Sequence, residues 1–175
     1  MQIERLPPTE IQFLEFIRSL GEETRRQFDQ FNGIKTMNES SWITEDPSRD
    51  SWFGLTDEGE LAAYGFLQRV ARKNKTLTLG IVVADKHQGH GYGEKICKTM
   101  INWAWKHKYN KIWLGTYEDN EGALKLYKRL GFELEGIFVD DLDDGRAIYS
   151  LAIFNGYIGA PKRTQLHSQW MFLGS

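Results

Sequence analysis

A single cysteine, Cys97, occurs in the chain of 175 residues. That excludes an internal disulfide and a zinc cluster built on cysteines. An excess of positive charge is also missing: 22 Lys and Arg stand against 24 Asp and Glu, for a formal net charge of −2. The basic footprint of a nucleic-acid binder is therefore absent. No apolar run is long enough to span a bilayer, and the N-terminus lacks a signal peptide's basic-then-apolar layout. No internal repeat or low-complexity stretch interrupts the chain. These absences lead to the expectation of a cytoplasmic protein with no metal, no nucleic-acid partner and no membrane partner. What the chain does have is aromatic side chains, at 13%, and a length that suits one domain with a real core.

Hydrophobic patterning divides the chain into short elements. Met1 to Leu6 reads as a strand. Pro7-Pro8-Thr9 opens a helix with Phe13, Phe16, Ile17 and Leu20 on its apolar face, and Gly21 ends it. Glu22 to Phe31 reads as a second helix, and Asn32 to Asp50 as a loop. Ser51–Leu55 and Leu61–Val70 are expected strands joined by a turn over Thr56–Glu60; a second turn, Ala71–Lys75, leads to the strand Thr76–Val83. A helix follows from about Gly93 to Lys106, with Ile96, Cys97, Met100, Ile101 and Ala104 on one face. After a strand at Lys111–Tyr117, Asn120 caps a helix carrying Ala123, Leu126, Tyr127 and Leu130, and Gly131 stops it. Two last strands, Phe132–Val139 and Arg146–Phe154, flank the acidic turn Asp140–Gly145. The order implies an α/β (α+β) fold: a mixed, mostly antiparallel central sheet with helices on both faces, and a parallel relation between the two helix-linked strands.

The stretch Gln88-Gly89-His90-Gly91-Tyr92-Gly93 lies between a strand and a helix. Strand, glycine-rich turn and helix make an anion cradle, because backbone N–H groups converge there and the helix dipole favours negative charge. Glycine allows a phosphate to approach those amides closely. Two phosphate-loop families fail on spacing. A P-loop needs Gly-Lys-Ser/Thr, and here Gly93 is followed by Glu94 and Lys95. A dinucleotide fingerprint needs a third glycine where Glu94 stands, and an acid where Trp113 stands.

Gln88, Gly91 and Gly93 at this spacing resemble the acetyl-CoA loop of the GNAT superfamily of N-acetyltransferases. A second block, Asn120, Ala123, Leu126-Tyr127 and Leu130-Gly131-Phe132, is similar to that superfamily's downstream block. The resemblance covers roughly residues 51–154. It implies a GNAT-like acyl-CoA N-acyltransferase fold over a single domain, 1–175, with the tail 155–175 unassigned. It further implies acetyl-CoA as cosubstrate. Gln88, Gly89, His90, Gly91, Tyr92, Gly93, Glu94 and Lys95 would hold the pyrophosphate. Ile81, Val82 and Val83 would bind the pantetheine arm and acetyl group through their backbone, one N–H serving as oxyanion donor. Asn120 would bond the arm, beside Ala123, and Tyr127 would protonate the departing thiolate as general acid.

The implied reaction moves an acetyl group to a primary amine of a small molecule by direct attack through a tetrahedral intermediate. A lysine-like amine of pKa about 10.4 costs about 4.6 kcal/mol to deprotonate at pH 7, so a base is expected. The strand before the loop carries no carboxylate; Glu118 is the candidate base, with Asp119 or a water chain through Thr78 as alternatives. The acceptor is left open. The acidic turn Asp140–Asp144 suits a cation, whereas Arg25 and Arg26, near Trp42 and Trp52, suit an anion. Acetylation of a peptide N-terminus or lysine, and a non-catalytic acetyl-CoA-binding module, are the competing readings. A homodimer is common among proteins of the resembled superfamily.

Overall fold

The computed structural model describes residues 1–5, 10–29, 50–70, 75–139 and 145–156. Pro7–Thr9, the 32–49 loop, the 71–74 turn, the acidic turn Asp140–Asp144 and the tail from Tyr157 lie outside the described residues. In chain order the elements are β1 (Gln2–Glu4), α1 (Glu10–Ser19), α2 (Glu22–Asp29), β2 (Asp50–Asp57), β3 (Glu60–Arg69) and β4 (Thr76–Val83). There follow α3 (Tyr92–Lys106), β5 (Lys111–Tyr117), α4 (Glu121–Arg129), β6 (Glu133–Val139) and β7 (Ala147–Phe154).

The strands form one seven-stranded sheet in the order β1-β2-β3-β4-β5-β7-β6. Every neighbouring pair is antiparallel except β4 and β5. The expected parallel relation is thus present, but it is short. It covers only Thr76↔Lys111, Leu77↔Ile112 and Thr78↔Trp113. Beyond Thr78 the two strands part. Each is still held on its far side: β4 pairs with β3 up to Ala63↔Val83, and β5 pairs with β7 up to Tyr117↔Ile148. The last strand in sequence, β7, slots between β5 and β6, which leaves β6 as the edge.

The expected five-residue turn Thr56–Glu60 is shorter than the sequence suggests. β2 and β3 run on through Asp57 and Glu60, leaving Glu58 and Gly59 at the tip with φ of 51° and 86°. Two left-handed residues give the two-residue hairpin whose twist matches its strands. A register shift between Leu55 and Thr56 absorbs the extra residue.

Two apolar clusters sit on opposite faces of the sheet. Period-two alternation along the strands sorts the side chains between them. On one face, Ile96, Cys97, Met100 and Ala104 of α3 and Tyr127 of α4 pack with Leu77, Leu79, Ile112 and Leu114. On the other, Phe13, Phe16, Ile17 and Leu20 of α1 cover Tyr64, Phe66 and Val82. The helices therefore lie on both faces, as the patterning implies. The ring of Phe66 crosses directly over Gly80 of β4, where an added Cβ would come within 2.4 Å of it. Gly80→Ala is expected to destabilise the fold by about 1–3 kcal/mol through overpacking. Urea denaturation reads this as a lower midpoint, partly restored when Phe66→Leu is added.

Candidate active site

The parting of β4 and β5 opens a cleft of about 830 Å³. Its walls come from β4 (Thr78 to Val83), from Trp113, Gly115 and Thr116 of β5, and from the glycine turn. The start of α4 and Glu23, Thr24 and Gln27 of α2 complete it. Backbone groups on the facing edges of β4 and β5 lack a ladder partner past Thr78, so the gap is lined by available N–H and C=O groups.

At one end of the cleft the chain leaves β4, makes a single 3₁₀ turn over Asp85–His87, and enters the glycine turn. Gly89 and Gly91 both have φ of 78°, a left-handed conformation that other residues adopt at a cost of roughly 1–2 kcal/mol. A Cβ at either would meet nothing within 4 Å, so the space over them is open. Gly93 is glycine for a different reason: a Cβ there would press on Leu126 at 3.2 Å, so it lets α3 approach α4. Gly91 is the N-cap of α3 and supplies no side-chain cap; the first helical bond runs from Lys95 N–H to the Gly91 carbonyl at 3.1 Å. The N–H groups of Tyr92, Gly93 and Glu94 are consequently without intrahelical acceptors and face the dipole's positive end. The turn fits an anionic diphosphate on these grounds.

Side chains around the turn brace it. The amide of Gln88 donates to the Val83 carbonyl and to Thr24 Oγ1, both at 3.2 Å. The Tyr92 hydroxyl donates to Asp57 across the β2–β3 turn, and the Lys95 ammonium sits 5.4 Å from the Tyr92 ring centre. Glu94 is engaged by Lys98 at 2.7 Å. Ile81, Val82, Val83, Gln88, Gly89, Gly91, Tyr92, Gly93, Glu94, Asn120, Ala123 and Tyr127 all line the cleft, whereas His90, Lys95 and Glu118 are not among its lining residues.

Tyr127 lies on α4 at 6% exposure, with its ring 5.5 Å from that of Phe132. Burial, and secondarily the nearby Cys97, push its phenol well above the ordinary value near 10. It therefore keeps its proton at neutral pH. Asn120 Oδ1 accepts from the Ala123 N–H at 3.2 Å and caps α4. Glu118 accepts from the Ala147 N–H at 3.2 Å, which directs its carboxylate toward β7. Asp119 faces the cleft. Partial burial opposes its ionisation, but hydrogen bonds from Gln27, Arg146 and Arg26 outweigh this and hold its carboxyl below the usual range. Arg26 is thereby committed to Asp119 and to Glu23.

The sequence reading missed the contribution of Glu23, Thr24 and Gln27. Nothing in the pattern of α2 distinguishes its cleft-facing side. Thr116 and Gly115 had a signal: they lie near the end of the strand that runs parallel to β4.

Solved structures with this arrangement include N-acetyltransferases. A spermidine N-acetyltransferase from Vibrio cholerae in complex with CoA and spermine matches with a TM-score of 0.73 at 15% identity, covering 88% of this chain and 95% of that one. A ribosomal-protein-alanine N-acetyltransferase from Brucella melitensis matches with a TM-score of 0.73 at 15% identity, covering 88% and 99%. These likenesses show an acetyltransferase-type fold. The model of the Acetyltransferase (GNAT) family matches residues 17–132, and the chain belongs to that family. Among curated relatives, a probable spermine N(1)-acetyltransferase of Bacillus subtilis subsp. natto is 38% identical over 90 residues, which is 47% of this chain and 59% of that protein. A spermine/spermidine N(1)-acetyltransferase of Bacillus subtilis is 33% identical over 90 residues, with the same coverage of 47% and 59%. The chain thus spans about three-fifths of the length of these two relatives.

Asn120→Ala removes the α4 cap, and a loss of about 1 kcal/mol is expected in chemical denaturation. Asn120→Asp, which retains an acceptor, keeps most of that stability.

Proposed function

We propose that the chain is an acetyl-CoA-dependent N-acetyltransferase that acts on a primary amine of a small cationic acceptor of the polyamine kind. The observation that carries this reading is the cleft itself. One opening unites the unpaired edge of β4, the open glycine turn and the buried phenol of Tyr127. Acetyl-CoA would supply an activated thioester. Gly89 to Glu94 hold its diphosphate through backbone N–H groups, and the β4 edge at Ile81, Val82 and Val83 aligns its arm. A backbone N–H there stabilises negative charge developing on the carbonyl oxygen, a contribution that is large in a preorganised site. Tyr127, protonated at neutral pH, donates its proton to the leaving thiolate.

The acceptor class follows from how the charges near the cleft are used. Arg26 is spent on Glu23 and Asp119, and Arg25 reaches the Arg18 carbonyl at 3.0 Å. This weakens the argument for an anionic acceptor. The lining itself holds four carboxylates, Glu23, Glu94, Asp119 and Glu121, and one arginine, Arg129; each carboxylate is also paired with a cation outside the lining, Arg26, Lys98, Arg146 or Lys125. The two curated relatives named for spermine acetylation agree with this preference. Asp119 is a poor base because its ionised form is already stabilised. Thr78 and Thr116 both line the cleft, and a water chain along their hydroxyls would carry the amine's proton to solvent.

An acceptor panel tests the function: release of CoA thiol from acetyl-CoA with spermine, spermidine, amino acids, amino sugars and short peptides. Turnover is expected with the polyamines and not with peptides; preference for a peptide N-terminus moves the acceptor class, and acetyl-CoA binding without any turnover overturns the enzyme. Tyr127→Phe is expected to lower kcat at least tenfold with acetyl-CoA affinity nearly unchanged. Because the neutral fraction of the amine grows with pH while Tyr127 stays protonated, kcat/KM is expected to rise about tenfold per pH unit from pH 7 toward pH 9. A flat profile over that range points instead to an internal base.

A further inference from the structure

Helix α2 bridges the two strands whose parting makes the cleft. β4 ends at Val83 and β5 at Tyr117, and a carboxylate stands two residues beyond each end, Asp85 and Asp119. Asp85 takes the N-terminal end of α2. Its Oδ2 accepts from the Gly21 N–H at 2.7 Å, and its Oδ1 accepts from the Thr24 hydroxyl at 2.8 Å. In effect Asp85, distant in sequence, caps a helix that has two acidic residues in its own first turn and none of the usual capping side chains just before it. Asp119 takes the other half. It accepts from Gln27 Nε2 at 3.1 Å and from Arg26 at 3.2 Å, while Arg146 at the start of β7 holds it from the opposite side at 3.1 Å. The Arg146 guanidinium in turn lies 3.9 Å from the centre of the Tyr117 ring.

The grip on α2 is continuous with the cofactor turn. Thr24 Oγ1, bonded to Asp85, also accepts from Gln88, and Gln88 donates to the Val83 carbonyl. The cleft-facing residues of α2, Glu23, Thr24 and Gln27, are the ones spanned by these anchors. Among the described side chains of α2, a further tie runs from Arg25 to the Arg18 carbonyl at 3.0 Å. Five of its eight residues are charged, so it has little apolar surface to bury.

We infer that Asp85 and Asp119 are positioning residues that pin α2 across the mouth of the cleft, one on each parted strand, and so set the acceptor wall relative to the thioester site. Asp85 does not line the cleft, so it acts only through the helix it holds. This rests on the acetyltransferase reading for its kinetic consequence, but the pinning itself is a property of the fold.

The test compares the wild type with Asp85→Ala and Asp119→Ala in full-length protein. Hydrogen exchange is followed over residues 21–29, with α3 (Tyr92–Lys106) as internal reference. Calorimetric acetyl-CoA binding and steady-state kinetics with spermine accompany it. In each variant, exchange in α2 is expected to speed at least fivefold with α3 unchanged. In Asp85→Ala, whose side chain does not line the cleft, the KM for spermine is expected to rise five- to twentyfold with kcat within twofold; in Asp119→Ala, which also removes a lining carboxylate, the α2 exchange rate is the deciding readout. Acetyl-CoA affinity is expected to stay within threefold in Asp119→Ala. Asp85→Asn, which keeps an acceptor for the Gly21 N–H, recovers most of the KM. Unchanged exchange in α2, an equal rise in α3, or, in Asp85→Ala, an unchanged spermine KM alongside faster α2 exchange overturns the inference. If the wild type turns over no amine, the acetyltransferase reading fails, and the exchange measurement alone decides whether the carboxylates pin the helix.

Discussion

The brevity of one strand pairing governs the site. β4 and β5 share only three residue pairs before they diverge, yet neither is loose, because β3 and β7 hold them from outside. A sheet normally hides its backbone polar groups in its ladders. Here two strands keep extended geometry while one edge of each is left without a strand partner past Thr78. The edges of the gap are therefore made of main chain, which cannot be altered by substitution without altering the sheet. Side chains then refine the gap: Thr78 marks where it begins, and Tyr127 closes it from the α3–α4 face.

The second constraint is conformational. The glycine turn combines two left-handed residues, Gly89 and Gly91, with a third, Gly93, that is small for packing reasons. One motif thus satisfies two unrelated demands: an open concavity of N–H groups and close contact between α3 and α4. Tyr92 and Gln88 show how such a turn stays in shape before any ligand arrives. Their side chains reach out to Asp57 and to Thr24 and Val83, tying the turn to elements on either side.

Much of this was legible in the sequence because the elements obey local rules. β4, β5 and α4 have the periodicity and caps that their boundaries require, and Asn120 and Gly131 sit where a helix starts and stops. The β2–β3 turn was read too long because Glu58 adopts a left-handed conformation that its residue type does not advertise. Which residues of α2 face the cleft was less legible still. The helix's placement depends on hydrogen bonds between residues more than sixty positions apart, such as Gly21 with Asp85, and no local pattern encodes them. For the same reason Glu118 and Asp119, neighbours in sequence, have opposite surroundings: one turns to the Ala147 N–H and the other meets two arginines.

The two apolar clusters have a consequence for substitution. The sheet separates the core beneath α3 and α4, which supports the coenzyme-facing turn and Tyr127, from the core beneath α1. The described side chains of α2 that hold it do so through polar contacts, Thr24 to Asp85 and Arg26 and Gln27 to Asp119. Substitutions at the polar positions Glu23, Thr24 and Gln27 therefore change the cleft wall without repacking either interior. Such a layout separates the polar fastening of α2 from the packing beneath α3 and α4.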